Sequence, residues 1–398
     1  MESIKNLFKI GRGPSSSHTM GPREAALAFS EQCPDARSYE VTLYGSLAAT
    51  GRGHLTDVAI LDVLTRFAPT NIIWEPDTVL PYHTNGMRFK ALSPVGDVID
   101  EQVYYSVGGG DIVKEGEQRS AAPDVYKMNT ITEIQQWADS TGHSYWEYVD
   151  QNEGPELWDY LRQVWHTMKD AVERGIEAEG VLPGGLGVRR KAVSYYMNAT
   201  GHNASLKSRG LVYAYALAVS EENASGGMIV TAPTCGSCGV LPAVLYHLYT
   251  SKGFSEQRIL RALATAGLFG NVVKKNASVS GAEVGCQGEV GVACAMAAAA
   301  ASQLFGGTPA QIEYSAEMAL EHHLGLTCDP VCGLVQIPCI ERNAYAAARA
   351  LDANLYSSFS DGRHSVSFDR VVEVMKQTGH DLPSLYKETA RGGLAVIK

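Results

Sequence analysis

The sequence lacks the long apolar run that a membrane-spanning helix requires. Its longest uncharged stretch, residues 226–251, is broken repeatedly by Gly, Pro, Ser and Thr, whereas a spanning helix needs about 20 mostly apolar residues. The first residues, MESIKNLFKIGRG, have neither the apolar segment nor the small-residue cleavage site of a secretory signal. We therefore expect a cytoplasmic protein with no membrane partner.

Basic residues are also too few to favour a polyanionic partner. The chain has 33 Lys and Arg residues against 43 Asp and Glu residues, which gives a formal net charge of −10. An acidic protein gains no general electrostatic attraction to phosphates, so we expect no nucleic-acid partner. With 398 residues, of which 45% are hydrophobic, the chain is long enough for two or three domains.

The cysteines do not follow the spacing of common metal modules. The sequence has neither the paired C-x₂-C knuckles of a zinc ribbon nor the compact spacing of bacterial ferredoxins. In a reducing compartment disulfides are rare, so clustered cysteines favour metal binding or catalysis. Small buried hydrophobic residues are the alternative. The eight cysteines are Cys33, Cys235, Cys238, Cys286, Cys294, Cys328, Cys332 and Cys339.

Hydrophobic periodicity predicts an α+β fold, with an N-terminal α+β part followed by an all-helical part. Alternation predicts strands over 40–45 and 98–107, and helical spacing predicts a helix over 55–67. After Pro155 the pattern is helical and rich in Ala, as in residues 290–305, and Thr308, Pro309 and Ser367 are typical helix starts. The predicted divisions are an α+β domain at 1–150, a helical linker at 151–182 and an all-helical domain at 183–398.

Two segments of the second half contain cysteines in loop-like surroundings. NASVSGAEVGCQGEVG (276–291) places Cys286 between glycines, where backbone can approach a ligand closely. HHLGLTCDPVCGLVQIPCIERNA (322–344) contains Cys328, Cys332 and Cys339, and an Asp-Pro turn signal follows Cys328. Spacing alone leaves a metal site and buried structural cysteines equally open, and the loop surroundings favour a site.

A C-x₂-C pair, Cys235 and Cys238, lies within TAPTCGSCGVLPAV (231–244). In isolation this pair is typical of a redox dithiol or half a zinc site. The loop is rich in Thr and Gly and precedes an apolar helix, however, and such a turn directs free N–H groups at an anion. We therefore favour binding of a substrate carboxylate here, with Thr231 and Thr234 as candidate contacts.

The N-terminal part contains two Gly-rich loops that each include a histidine. GRGPSSSHTMGP (11–22) supplies hydroxyl groups and His18 at the start of a helix, and GSLAATGRGHLTD (45–57) supplies His54. Either loop alone would be explained as a helix cap or a surface turn. Together they predict a site, since histidine exchanges protons near neutral pH. The stretch SVGGGD (106–111) can add close backbone approach or be a tight turn.

These segments resemble a known family. GPSSSHTMGP, TGRGHLTD and YYSVGGG resemble the β-chain signatures of bacterial iron–sulfur L-serine dehydratases, and SGGMIVTAPT, GAEVGCQGEVG and GLTCDP…PCIERNA resemble the α-chain signatures. The resemblance covers nearly the whole chain in the order β then α. It implies an N-terminal domain of the allosteric-substrate-binding kind, a helical catalytic domain, oxygen sensitivity and a homodimer.

The resemblance also implies roles for individual residues. A [4Fe–4S] cluster is expected on Cys286, Cys328 and Cys339. The expected reaction removes water from L-serine and yields pyruvate and ammonia. His54 is the expected base, and His18 is a second candidate base or orients the substrate. The expected contacts to the substrate's carboxylate and amine are Ser15, Ser16, Ser17, Thr19, Thr231, Thr234 and Ser280.

The chain departs from the family pattern in three places. It ends in GGLAVIK, without the C-terminal cysteine that many members have. Cys332 is not a position associated with the family's ligands. It is either a fourth ligand of the cluster or an inert neighbour, and we favour an inert neighbour. Cys235 and Cys238 stand where the family usually has Asn and Ala, which bears on how the substrate is bound.

Three other functions remain compatible with the sequence. The first is an iron–sulfur lyase that acts on threonine or cysteine. The second is a non-catalytic sensor of an amino acid or a labile cluster. The third is a zinc protein, which would bind metal yet stay colourless.

Overall fold

The computed structural model describes residues 1–117, 123–388 and 392–396. In these ranges the strands are β1 (Ile10–Arg12), β2 (Ser38–Tyr44), β3 (Thr70–Glu75), β4 (Gly86–Leu92), β5 (Val98–Ser106), β6 (Ile112–Lys114) and β7 (Met228–Val230). The helices of the first part are α1 (Gly21–Gln32), α2 (Gly45–Thr50) and α3 (Thr56–Leu64). Those of the second part are α4 (Ile131–Thr141), α5 (Tyr145–Asn152), α6 (Glu156–Glu177), α7 (Ala192–Thr200), α8 (Ala204–Ala224), α9 (Val240–Lys252), α10 (Glu256–Asn276), α11 (Gly281–Val284), α12 (Val292–Leu304), α13 (Pro309–Glu321), α14 (Cys339–Ser358) and α15 (Phe368–Asp381).

The N-terminal part is built on a mixed sheet with the strand order β3-β2-β4-β5-β6. β2 and β3 run parallel, and the other neighbours are antiparallel. Val41 on β2 lies opposite Phe89 on β4, and both are fully buried with Phe29 of α1 and Ile60 of α3. The predicted strands over 40–45 and 98–107 and the helix over 55–67 are confirmed as β2, β5 and α3.

The C-terminal part is a helical bundle arranged around α12. This helix contacts α9, α10, α13 and α14, and its residues from Val292 to Ser302 are buried on all sides. A helix made largely of Ala can be surrounded in this way because its small side chains let neighbouring backbones approach closely. The fold class is confirmed, with an α+β part followed by a helical part. The predicted caps are also confirmed, since Thr308 accepts from the backbone of Gln311 and Ser367 from that of Arg370.

The N-terminal segment belongs to the core of the helical part. Residues 1–8 and 126–149, which the sequence analysis assigned to the first domain, pack in the same hydrophobic cluster as the bundle helices. β1 pairs antiparallel with β7, with Ile10 opposite Val230. β7 is a short strand within the helical part that periodicity did not predict. This pairing brings the serine-rich loop after β1 against the bundle.

Among the described helices, none is both long enough and apolar enough to cross a membrane.

Helices α6 and α8 approach each other closely at Gly175, which allows the packing of the helical bundle to be tested. A Cβ on Gly175 of α6 would lie 2.3 Å from the carbonyl oxygen of Ala218 on α8. Gly175→Ala should therefore destabilise the protein by about 1–3 kcal/mol, despite the better helix propensity of Ala. Urea unfolding measures the change. Gly201→Ala, where the nearest atom is 3.5 Å away, is the control, and equal stabilities for the two variants would contradict this packing.

Candidate active site

A small cavity lies where the two parts of the chain meet. It measures about 50 Å³, several times the roughly 10–15 Å³ that one water molecule needs. The first part contributes the serine loop (residues 13–20), helix α2 with the turn at His54 that follows it, and the loop around Gly108. The second part contributes the loop that begins with TAPT (231–234) and the two cysteine-containing segments, 276–291 and 322–344. The lining residues are Ser15, Ser16, Ser17, His18, Ser46, Thr50, His54, Gly108, Gly109, Thr234, Gly236, Ser280, Gly281, Cys286, Glu289, Cys328, Pro330, Gly333, Val335, Cys339 and Glu388.

The serine loop enters α1 through a π-helical turn, Ser16–Met20. The Ser15 hydroxyl caps this turn by accepting from the backbone N–H of His18 at 3.1 Å. A second π-helical turn, Gln287–Gly291, follows Cys286. Such turns are rare and frequently occur at functional sites. Here both of them place functional side chains at the cavity.

Two buried histidines lie side by side, with the ring centroids of His18 and His54 4.6 Å apart. The Nδ1 atom of His18 lies 2.9 Å from the Ser17 hydroxyl, and its Nε2 atom lies 3.0 Å from the Ser46 hydroxyl. The Nδ1 atom of His54 has no hydrogen-bond partner among the described residues. The Thr19 hydroxyl joins the two histidine-containing segments by donating to the carbonyl oxygen of His54 at 2.7 Å.

Burial keeps both imidazoles neutral near pH 7. It lowers the pKa of His54 to about 4. The pKa of His18 is lowered well below its ordinary value, first by burial and then by the neighbouring His54. A neutral imidazole has a free nitrogen lone pair, so each ring can accept a proton from a molecule in the cavity.

Three buried thiols face the histidines from three different elements. Cys286 precedes the second π-helical turn, Cys328 follows α13, and Cys339 is the first residue of α14. The Sγ atoms of Cys286 and Cys328 lie 3.6 and 3.5 Å from Oε2 of Glu289. The pKa of Cys328 is raised by its hydrogen bond with Cys286 and by burial, and burial raises the pKa of Cys339.

This donor set suits a thiophilic metal centre. All eight cysteines are free, and a suitable ligand group is formed by Cys286, Glu289 and Cys328, with Cys339 in the same cavity lining. Thiolates are the ligands of iron–sulfur clusters and of zinc. A bound cation would also offset the unfavourable burial of several thiolates and a carboxylate.

The structure brings most of the predicted site residues together. Ser15, Ser16, Ser17, Thr234 and Ser280 line the cavity, and the Thr234 hydroxyl donates to Glu289 at 2.8 Å.

Thr19 and Thr231, by contrast, lie outside the cavity lining. The hydroxyl of Thr231 donates to the carbonyl oxygen of Leu7 and accepts from the backbone N–H of Lys9, both at 2.8 Å. Thr231 therefore secures the N-terminal segment, so the prediction that it contacts substrate is not supported by its position.

Cys235, Cys238 and Cys332, at which the sequence departs from the family pattern, also lie outside the cavity lining. Cys235 and Cys238 are buried in the bundle core, where burial raises the pKa of both thiols. Cys332 is exposed.

Sequence reasoning missed several residues of the cavity. Glu289 lies three residues after Cys286, within the same Gly-rich motif, so its spacing could have indicated it. Ser46 likewise lies in the Gly-rich segment 45–57 that contains His54, where the structure forms helix α2. His83, just before β4, is close enough for its charge to lower the pKa of His18. Glu388 comes from the segment after α15, and no motif surrounds it.

Two buried histidines beside a group of thiols that could hold a metal ion are an arrangement typical of an enzyme site. Comparison with known proteins gives the family. The family model described as "Serine dehydratase beta chain" matches residues 3–72 and 62–117, and the one described as "Serine dehydratase alpha chain" matches residues 110–395. The chain therefore belongs to the serine dehydratase family, with the beta and alpha regions in one polypeptide.

Curated relatives are similar along their whole length. An L-serine dehydratase of Streptomyces coelicolor is 43% identical, covering 99% of this chain and 98% of that protein. The L-serine dehydratase TdcG of Escherichia coli is 42% identical over 100% and 99% of the two chains. The first alignment spans 448 positions, whereas this chain has 398 residues. The relative therefore has internal residues without a counterpart here.

The lowered pKa of His54 gives a pH test of its burial. The unfolded chain takes up this proton near pH 6.5, whereas the folded chain does so near pH 4. Because the unfolded state binds the proton first, stability should fall as the pH drops through this window, by about 2 kcal/mol at pH 5 for this one group. Urea unfolding at pH 7.5 and pH 5 should show a smaller loss for His54→Gln than for the wild type. His380→Gln, at an exposed position, is the control, and equal losses in all three proteins would contradict the burial.

Proposed function

We propose that the protein is an L-serine dehydratase, which converts L-serine to pyruvate and ammonia. The relatives named above support this proposal because they cover the entire chain. The observation that carries it is the cavity, whose lining combines two buried histidines that stay neutral near pH 7 with three buried thiols. Elimination of water requires that the substrate lose a proton from one carbon and hydroxide from the next, and the cavity offers groups for both tasks.

The finer proposal is that the enzyme is of the iron–sulfur type, with Cys286, Cys328 and Cys339 holding a [4Fe–4S] cluster. The burial of these thiols and their origin in three separate elements support this assignment. When bound, such a cluster would supply Lewis acidity toward the substrate hydroxyl, which is a poor leaving group. The wall opposite the cysteines is formed by protein groups that can bind and deprotonate the substrate.

We assign removal of the α-proton to His54. Its Nδ1 atom has no partner among the described residues, and the low pKa keeps the ring unprotonated before substrate binds. His18 is held at both nitrogens by serine hydroxyls, which suits a residue that orients the substrate. Ser15, Ser16 and Ser17 supply hydroxyl and N–H groups at a helix start, where a carboxylate is favoured. The aminoacrylate product would hydrolyse to pyruvate and ammonia in water.

We also propose that the protein is a cytoplasmic homodimer. Eight free cysteines support a reducing compartment. The helix α14 exposes Tyr345, Leu355, Tyr356 and the following Phe359, and clustered exposed apolar side chains favour association.

Two alternative functions are a lyase acting on threonine or cysteine and a sensor without activity. An assay of ammonia release from each amino acid would distinguish both from an L-serine dehydratase.

The base assignment predicts a selective loss of activity. His54→Ala should lower pyruvate formation from L-serine by at least about 100-fold, the usual contribution of general base catalysis, while the visible absorbance of the cluster is retained. His380→Ala, at the exposed end of α15, is the matched control and should keep full activity. Normal turnover by His54→Ala would refute the assignment.

The cluster assignment predicts which cysteines are required to bind the cluster and which are not. Cys286→Ser, Cys328→Ser and Cys339→Ser should each lower the iron and sulfide bound per chain and the absorbance that accompanies them. Cys332→Ser should leave both unchanged, because this side chain is exposed and outside the cavity. Iron and sulfide determination on protein purified without oxygen makes the comparison. A full cluster content in the first three variants would contradict the ligand set.

A further inference from the structure

Glu388 lies on a segment that crosses directly over the cysteine loop. The backbone N–H of Cys328 donates to the carbonyl oxygen of Tyr386 at 2.8 Å, and Cys328 forms a β-bridge with Lys387. Further along the segment, the backbone N–H of Leu394 donates to the Asp329 carboxylate at 2.8 Å. The chain on both sides of Glu388 is therefore fastened to residues 328 and 329, which fixes where its side chain points.

The backbone at Glu388 is in the left-handed region, with φ = 50°. Among the described residues other than glycine, Leu55, Cys332 and Glu388 have a positive φ. Leu55 is adjacent in sequence to His54 and Cys332 to Gly333, and both of these neighbours line the cavity, as Glu388 does. This backbone conformation is unfavourable for a residue that has a side chain. Residues that adopt it cluster at functional sites, where a particular side-chain orientation is required.

The side chain of Glu388 reaches the serine loop. Its Oε1 atom accepts a hydrogen bond from the Ser17 hydroxyl at 3.1 Å and lies 3.8 Å from Nδ1 of His18. Three quarters of its side-chain surface is buried. Burial, together with the charge of Glu289, raises the pKa of Glu388 to about 7. An ammonium group nearby would favour the ionised carboxylate.

The described residues that line the cavity offer the Glu388 carboxylate no cationic partner. The described lining residues include two glutamates and no lysine or arginine. Glu289 already contacts Thr234 and the thiols of Cys286 and Cys328. Glu388 receives one hydrogen bond from Ser17, and the neighbouring His18 is neutral because burial lowers its pKa. An amino acid brings an ammonium group into this space, and a buried cation requires an anionic partner.

We propose that Glu388 binds the α-ammonium group of the amino-acid substrate, beside the serine loop, whose Ser17 it contacts and whose other hydroxyl and N–H groups would receive the carboxylate. The inference rests on the proposed function only in taking the ligand to be an amino acid. It adds a specificity-determining residue to the site, since a hydroxy acid or fatty acid of the same size would leave Glu388 without its partner.

Two non-reactive ligands test this role directly. L-alanine has the ammonium group but no hydroxyl to eliminate, and propanoate lacks the ammonium group as well. Their dissociation constants would be measured by anaerobic calorimetry on the cluster-containing protein. Glu388→Gln should weaken L-alanine binding roughly 30-fold or more and leave propanoate binding nearly unchanged. Glu373→Gln, an exposed position on α15, is the matched control and should alter neither constant.

Several results would overturn the proposal. Equal weakening of both ligands in Glu388→Gln, or weakening of neither, would exclude contact with the ammonium group, as would a wild-type protein that binds propanoate as tightly as L-alanine. If Glu388→Gln fails to fold, Glu388→Asp serves instead, with a smaller loss expected for L-alanine alone and an equal loss for both ligands as the contrary result. A wild-type protein that discriminates between the ligands but forms no pyruvate would refute the proposed reaction and leave this inference standing.

Discussion

The site depends on the attachment of the N-terminal segment to the helical bundle. Residues 1–8 are part of the bundle core, and β1 pairs with β7. Beyond β1, the side chain of Asn223 donates to the carbonyl oxygen of Pro14 at 2.9 Å, and the backbone N–H of Cys235 donates to the Ser16 hydroxyl at 2.9 Å. These buried hydrogen bonds hold the serine loop against the helical part, which also contains the three cysteines of the cavity. Without them the histidines and the thiols would belong to separate halves of the chain.

Burial at this junction drives the ionisable groups toward their neutral forms. It lowers the pKa values of His18 and His54 and raises those of Cys339, Glu289 and Glu388. The pKa of Cys328 is raised first by its hydrogen bond with Cys286 and then by burial. Such a site has acceptors for protons and ligands for cations, but the lining residues that are described include no Lys or Arg. The positive charge that it favours would come from a bound metal centre and from the substrate's ammonium group.

Much of this architecture could be predicted from local sequence signals. Several of the signals are short-range sequence patterns: the glycines beside Cys286, the turn after Cys328 and the two histidine-containing loops. Each of these segments contributes residues to the cavity lining. Thr231 shows where local reasoning fails, because its hydroxyl bonds to Leu7 and Lys9, more than 200 positions away in the chain. Glu388 could not be predicted for the same reason, since its place at the cavity comes from bonds between its segment and the cysteine loop.

We propose that serine dehydration by this protein depends on an oxygen-sensitive cluster held by Cys286, Cys328 and Cys339. The most direct test is to purify the protein without oxygen, record its visible spectrum, and follow pyruvate formation from L-serine before and after exposure to air. The account predicts a brown protein whose activity is lost in air together with its absorbance. A colourless protein with activity that survives air, or one that requires added pyridoxal phosphate, would contradict it.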